Sequence, residues 1–156
     1  MPSTTNGFRN QYQFLSNFAP SPIKCEGIVY PTVEHAFQGA KCQHRADKYQ
    51  IAAAPSPQLA KRLGRQVSMR PDWDDIKVNV MHALLQAKFQ HPALKQQLLA
   101  TEGVELVENN HWNDTFWGKC RGRGQNQLGQ LLMLVRQEIK TAESTPQQST
   151  MKDLTR

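Results

Sequence analysis

Three separated stretches of this chain carry apolar residues at helical spacing, and that recurrence limits the fold more than any other feature. Val33, Ala36, Phe37 and Ala40 fall at i, i+3, i+4 and i+7 behind Thr32, a residue type suited to capping a helix. Ile76, Val80, Ala83, Leu84 and Ala87 share one face of a segment running from about Pro71 to Gln90. Leu128, Leu131, Leu132, Val135 and Ile139 do the same in a segment starting near Gln127. Shorter helices are predicted over part of 45–54, from Ser56 with Pro57 in its first turn to about Gly64, and after Pro92 to about Thr101 or Gly103. Extended signals are few. QYQFLSNF and SPIKCEGIVYPTV read as short extended runs, Glu26-Gly27 as the turn of a small hairpin, and VELVE at 104–108 as a strand or an extended lead into the loop that follows. The expected fold class is mainly α: a single multihelical domain with a small β element near the N-terminus.

With 156 residues the chain supports one core, and neither a repeat nor a domain boundary is visible. The domain is expected over residues 1–142, with 143–156, polar and aperiodic, as a disordered tail. No apolar run is long enough for a transmembrane span, so no membrane partner is expected. The start, MPSTTNGFRN, lacks the apolar centre of a signal peptide, which predicts a cytoplasmic protein. Cys25, Cys42 and Cys120 are too few and too scattered for a disulfide framework or a zinc site. The formal net charge is +6, and Lys152 and Arg156 cancel Glu143 and Asp153 in the tail, so the excess belongs to the domain. Such a balance favours phosphate-bearing partners, nucleotides or nucleic acid, although solubility alone also explains basic surfaces.

Two stretches contain groups able to do chemistry. In YPTVEHAFQGAK, Glu34, Gln38 and Lys41 share a stripe about a third of a turn from the apolar one, at the border of the core. The plain alternative is a solvated face with Glu34 and Gln38 as an i, i+4 pair. His35 lies on another face and reads as a surface or hydrogen-bonded histidine rather than half of a Glu-His dyad. In HWNDTFWGKCRGRGQNQLG, residues 111–129, Trp112, Phe116 and Trp117 flank Asp114. Gly118, Gly122, Gly124 and Gly129 permit close backbone approach, and Lys119, Arg121 and Arg123 supply positive charge. The loop suits a nucleotide-like ligand with a carboxylate beside base or sugar; tryptophans serving as satellite core, with solvated basic residues, are the competing explanation. Lys61, Arg62 and Arg65 form a basic helix end, placed for phosphates or for the helix dipole. Trp73 opens the long helix as core or site. HxxxH, CxxC, Walker and GxSxG patterns are missing, so neither a metal nor a cofactor is expected.

FLSNFAPSPIKCEGIVYPTVEHAFQGAK, AKRLGR, Trp73, MHALLQAKFQ, LLATEGVELVENNHWNDTFWG and GQNQLGQLLMLVR, taken in order, resemble the NADAR (YbiA-like) family from Phe14 to Arg136. The resemblance implies a mainly helical domain and an N-glycosidase that acts on ribosyl-type substrates without a metal. Two substrates are implied: guanine in DNA bearing ADP-ribose, as in antitoxins paired with DNA ADP-ribosyltransferase toxins, and phosphoribosylated pyrimidines of early riboflavin synthesis. A non-catalytic module binding ADP-ribose or a NAD-derived ligand is the alternative of another class. The family's motifs imply Glu34, Lys41 and Asp114 as catalytic groups, with Trp117 and Trp73 in the site. Asn17, Gln38, Arg65, Gly118, Lys119 and Asn126 are expected to join them in binding substrate. Cleavage at an anomeric carbon suits a carboxylate pair, Glu34 and Asp114, one moving a proton and the other facing the sugar cation or water. Lys41 has two readings, Schiff-base capture of an opened sugar or a binding role toward phosphate or carboxylate. Family members usually carry glycine where this chain has Cys120; if that position needs a positive φ, the loop must bend differently here.

Overall fold

The computed structural model describes residues 3–5 and 7–144. Six α-helices account for nearly half of it: α1 (Val33–Lys41), α2 (Arg45–Ala52), α3 (Pro57–Gly64), α4 (Trp73–Lys88), α5 (Pro92–Leu99) and α6 (Gln127–Ser144). Two helix starts follow directly from sequence: the Thr32 hydroxyl accepts from the His35 N–H, and Ser56 caps α3 one residue ahead of Pro57. The helix α1 sits at the centre, packed by α2, α3 and α4, while α6 covers α4 and α5. One large core joins α1, α4 and α6 through Val33, Phe37, Met81, Leu85, Leu128 and Leu132; a smaller one of Cys42, Ile51, Ala54 and Ala60 lies between α2 and α3. Among the described residues no helix is long and apolar enough to cross a membrane.

The hairpin forms as expected from β1 (Ile23–Cys25) and β2 (Ile28–Tyr30), antiparallel with Ile23 opposite Tyr30. Its two-residue turn takes Glu26 to φ 53 and Gly27 to φ 79, the left-handed pair that matches strand twist. Two expectations fail. Residues Asn10–Leu15 of the supposed extended run form a 3-10 helix that buries Leu15. On α4 the buried face is Trp73, Met81, Leu84, Leu85 and Lys88, while Ala83 and Ala87 are exposed. The apolar stripe at 76–87 pointed slightly off the true face because alanine is tolerated in water and Lys88 is drawn inside, its Nζ donating to the Ser16 carbonyl at 3.0 Å. The helix α6 includes 143–144; the rest of the tail lies outside the described residues. Finally, a second, parallel pair appears, β3 (Asn109–Asn110) with β4 (Lys119–Cys120), which clamps the two ends of the loop. VELVE leads into it as extended chain, with only a bridge from Glu105 to Thr4.

Candidate active site

A cleft of about 500 Å³ opens between α1, Lys61 of α3, residues 8–18 and residues 108–117, and Met81 and Leu128 reach it from the core. Its helical wall is α1. There the Glu34 N–H donates to the Asn17 carbonyl at 3.1 Å, tying the first turn to the FLSNF segment. Glu34 is only 8% exposed, and its Oε1 accepts from Gln38 Nε2 at 2.9 Å. Burial raises the Glu34 pKa, against the Gln38 hydrogen bond and the Lys61 charge. The solvated-face alternative therefore fails: helices pack on three sides of α1, and both of its stripes turn inward. His35, also buried, is a brace, with Nδ1 2.8 Å from Thr32 Oγ1 and Nε2 3.0 Å from the Ala54 carbonyl.

The facing wall is irregular chain held by one buried side chain. Asn110 Nδ2 donates to the Asp114 carbonyl at 2.9 Å and to Glu108 Oε2 at 3.1 Å, while its Oδ1 accepts from the Asp114 and Trp112 N–H groups at 3.1 and 3.3 Å. Asp114 in turn fixes the next turn, its Oδ1 accepting from the Phe116 and Trp117 N–H groups at 3.2 and 2.9 Å. Trp117 is held edge-on between Phe37 and Phe116, with centroids 5.4 and 4.8 Å away, and Trp73 backs Phe37 at 4.9 Å. At the rim Trp112 is 51% exposed, with Lys61 Nζ 6.0 Å from its ring centroid.

Of the residues singled out from sequence, Glu34, Gln38, Asn17, Asp114, Trp117, Trp112 and Lys61 line the cleft. Asn17 Oδ1 and Gln38 Oε1 are buried there without a hydrogen-bond partner. Lys41 stands one turn beyond Gln38, half-buried and outside the lining. Burial lowers its pKa and Arg65 adds to that, opposed by Cys42 and Glu34. The remaining expected substrate contacts are not in the lining, each for a visible reason. Trp73 is core, 4% exposed; Arg65 is exposed past the end of α3. Gly118 is a spacer, since a Cβ there would run into the carboxylate and carbonyl of Glu108. Lys119 belongs to β4, and its N–H donates to the Glu108 carbonyl at 2.9 Å. Asn126 is buried, with Oδ1 accepting from the Glu108 N–H and Nδ2 donating to the Leu106 carbonyl, both at 3.0 Å. Cys120 does not need a positive φ: the left-handed positions are its neighbours Arg121 and Gly122.

Glu108, Arg9 and His111 also line the cleft and were not picked out from sequence. Glu108 ends VELVE, where Leu106 and Val107 are both buried, so the stretch does not alternate and strand phase gives no sign that this carboxyl turns toward the cleft. Burial, with a smaller push from Asp114, raises its pKa to about 7, against Asn110 and Lys61. The cleft thus gathers three carboxyl groups, two cations and an aromatic wall, a set able to surround a phosphorylated sugar and stabilise positive charge at its anomeric carbon. Among the described residues no group of three or more His, Cys, Asp or Glu side chains is arranged to hold a metal ion.

Comparison with known proteins finds relatives by sequence and by fold. The NADAR domain family matches residues 4–140. The N-glycosidase YbiA of Escherichia coli is 42% identical over 134 residues, covering 83% of each chain. A riboflavin biosynthesis protein of Vibrio vulnificus is 40% identical over 131 residues, covering 81% of this chain and 35% of that one. The solution structure of the E. coli protein YbiA superposes with a TM-score of 0.79 at 37% identity, over 94% of this chain and 92% of the other.

Proposed function

Because this chain belongs to the NADAR domain family and is an N-glycosidase, a hydrolase of N-glycosyl bonds, we propose that its cleft cleaves the bond between C1′ of a phosphorylated ribose and an exocyclic amine. The observation that carries this reading is the convergence of Glu34, Asp114 and Glu108 on one cleft walled by Phe37 and Trp117. Glu34 and Asp114 act on the sugar, one facing the charge that develops at C1′ and the other the attacking water. Trp117 is fixed by its neighbours and keeps that region dry, while Arg9 and Lys61 receive phosphate. Lys41 acts from behind the wall on the charge of Glu34; capture of an opened sugar would need its amine to swing past Gln38.

The substrate we favour is ADP-ribose on guanine in DNA, whose removal would reverse a DNA ADP-ribosyltransferase toxin. Exposed Trp112 beside Lys61 suits a base and phosphate outside the cleft, and the positive net charge suits a polyanion. A second reading, hydrolysis of a phosphoribosylated pyrimidine, is favoured by the likeness to the Vibrio riboflavin biosynthesis protein. Incubation with guanine-ADP-ribosylated DNA and, separately, with the phosphoribosylamino-pyrimidine, followed by mass spectrometry, separates the two. Release of ADP-ribose that is lost in Glu34→Gln and Asp114→Ala supports the first. Turnover of the pyrimidine alone supports the second, and silence on both overturns the reading.

A further inference from the structure

We propose that Glu108 is a third catalytic carboxyl of this cleft, the acid that passes its proton to the nitrogen leaving C1′. The inference rests on the glycosidase reading above and adds to it the one step that Glu34 and Asp114 are poorly placed to perform.

The three carboxyls are held in different ways. Asp114 Oδ1 is committed to two backbone N–H groups that shape the loop. Glu34 is almost wholly enclosed, and burial raises its pKa against the Gln38 hydrogen bond and the Lys61 and Lys41 charges, so it differs from Glu108 chiefly in its poorer access to solvent. Glu108 is less enclosed than Glu34, so it can exchange its proton with solvent between turnovers. Its position is closely determined. The backbone on either side is pinned by Asn126 and Lys119, Asn110 Nδ2 holds one oxygen at 3.1 Å, and Gly118 leaves the space that the carboxyl fills. A side chain given that much support, in the lining of a cleft that holds two further carboxyl groups, is built for more than solvation.

The charged and titratable groups facing it are Glu34 from α1, Lys61 from α3, Arg9 from the N-terminal segment, and His111 and Asp114 from the loop. The proximity of Asp114 disfavours a second charge, and burial does so more strongly, which leaves a carboxyl able to hold and release a proton near neutrality. In the step proposed, the C1′–N bond breaks with its electron pair going to nitrogen, and the Glu108 proton goes to the same nitrogen. Water adds its oxygen to C1′ and loses a proton to the Glu34–Asp114 pair; the pair then releases that proton to solvent as Glu108 regains one. The net change is addition of water across the C1′–N bond.

The test uses whichever of the two substrates the wild-type protein turns over, together with a 4-nitrophenyl riboside carrying the same phosphate, whose leaving group departs without a proton. Glu108→Gln should lower kcat on the amine substrate by about 100-fold or more while KM moves only a few-fold. It should also abolish the fall in wild-type kcat above about pH 7 and leave the nitrophenyl substrate within a few-fold of wild type. Glu108→Asp, which keeps a carboxyl, should retain the pH limb at reduced rate, and it decides the matter if the Gln variant folds poorly. Equal losses on both leaving groups, or an unchanged pH profile in Glu108→Gln, would overturn the assignment while leaving the glycosidase reading intact. A wild-type protein inactive on both natural substrates overturns that reading and this inference with it.

Discussion

The two walls of the cleft present carboxylates to the same space by opposite means. On α1, Glu34 is placed by helical phase: its N–H donates to the Asn17 carbonyl, the Thr32 cap holds the next N–H, that of His35, and Gln38 one turn on reaches back to it. Across the cleft, Glu108 and Asp114 stand on chain with almost no regular structure, and four hydrogen bonds through the single side chain of Asn110 set where they point. A helix distributes the work of positioning over many similar bonds, so no single side chain is essential to it. The loop concentrates that work in one amide, and one substitution should undo it.

Asn110→Ala is accordingly expected to have the largest effect. It leaves the Asp114 N–H and carbonyl unpaired in a partly buried site, at about 1–3 kcal/mol for each group. The displaced carboxylates should cost about 100-fold or more in kcat/KM. Thermal melting and steady-state kinetics check both, and near-normal turnover would show that the loop holds its shape without this residue. Gly118→Ala comes next. Its Cβ would meet the carboxylate and backbone carbonyl of Glu108, and overpacking of this kind costs about 1–3 kcal/mol. Activity should fall with stability, and a crystal structure of the variant should show the Glu108 carboxyl displaced.

The same contrast explains what could be read from the chain. Helices show through periodicity, and α1, α3 and α6 appear where their caps and apolar residues put them, with Glu34 and Gln38 on one stripe. Periodicity does not reveal how many neighbours a helix will have, which is why Glu34 could pass for a solvated residue. Asp114, Trp117 and Asn17 were found from composition and motif. The loop's geometry was not legible, because it depends on a side chain bonding to backbone groups up to four residues away, and Asn110 carries no periodic signature. For that reason Gly118, Lys119 and Asn126 looked like ligand contacts. In the structure all three bear on Glu108: Gly118 leaves room for its carboxyl, the Lys119 N–H donates to its carbonyl, and Asn126 Oδ1 accepts from its N–H.

On the helical side, Lys41→Met should have a smaller effect, about tenfold in kcat, the equivalent of roughly 1.4 kcal/mol of charge interaction. Borohydride added during turnover sharpens the result. A mass adduct on Lys41 would mean that the amine reaches past Gln38 and captures the opened sugar; turnover without an adduct assigns it to the charge of Glu34.

The smallest expected effect lies in the pH dependence of stability, and it probes the loop wall without substrate. Folding raises the Glu108 pKa from an ordinary glutamate value to about 7, so the folded state binds the proton more tightly than the unfolded chain does. The stability this group contributes is therefore fully present below about pH 4.5 and is lost as the pH climbs through about 7. Glu34 shifts in the same direction and keeps part of the slope in any Glu108 variant. The quantity to follow is thus the difference in Tm between wild type and Glu108→Gln, which should change in the variant's favour between pH 4.5 and 7 by about 2–4 °C, the shift that 1 kcal/mol brings in a domain of this size. A difference that stays flat across that window would mean that water reaches the carboxyl freely, and the loop would then be a looser wall than α1.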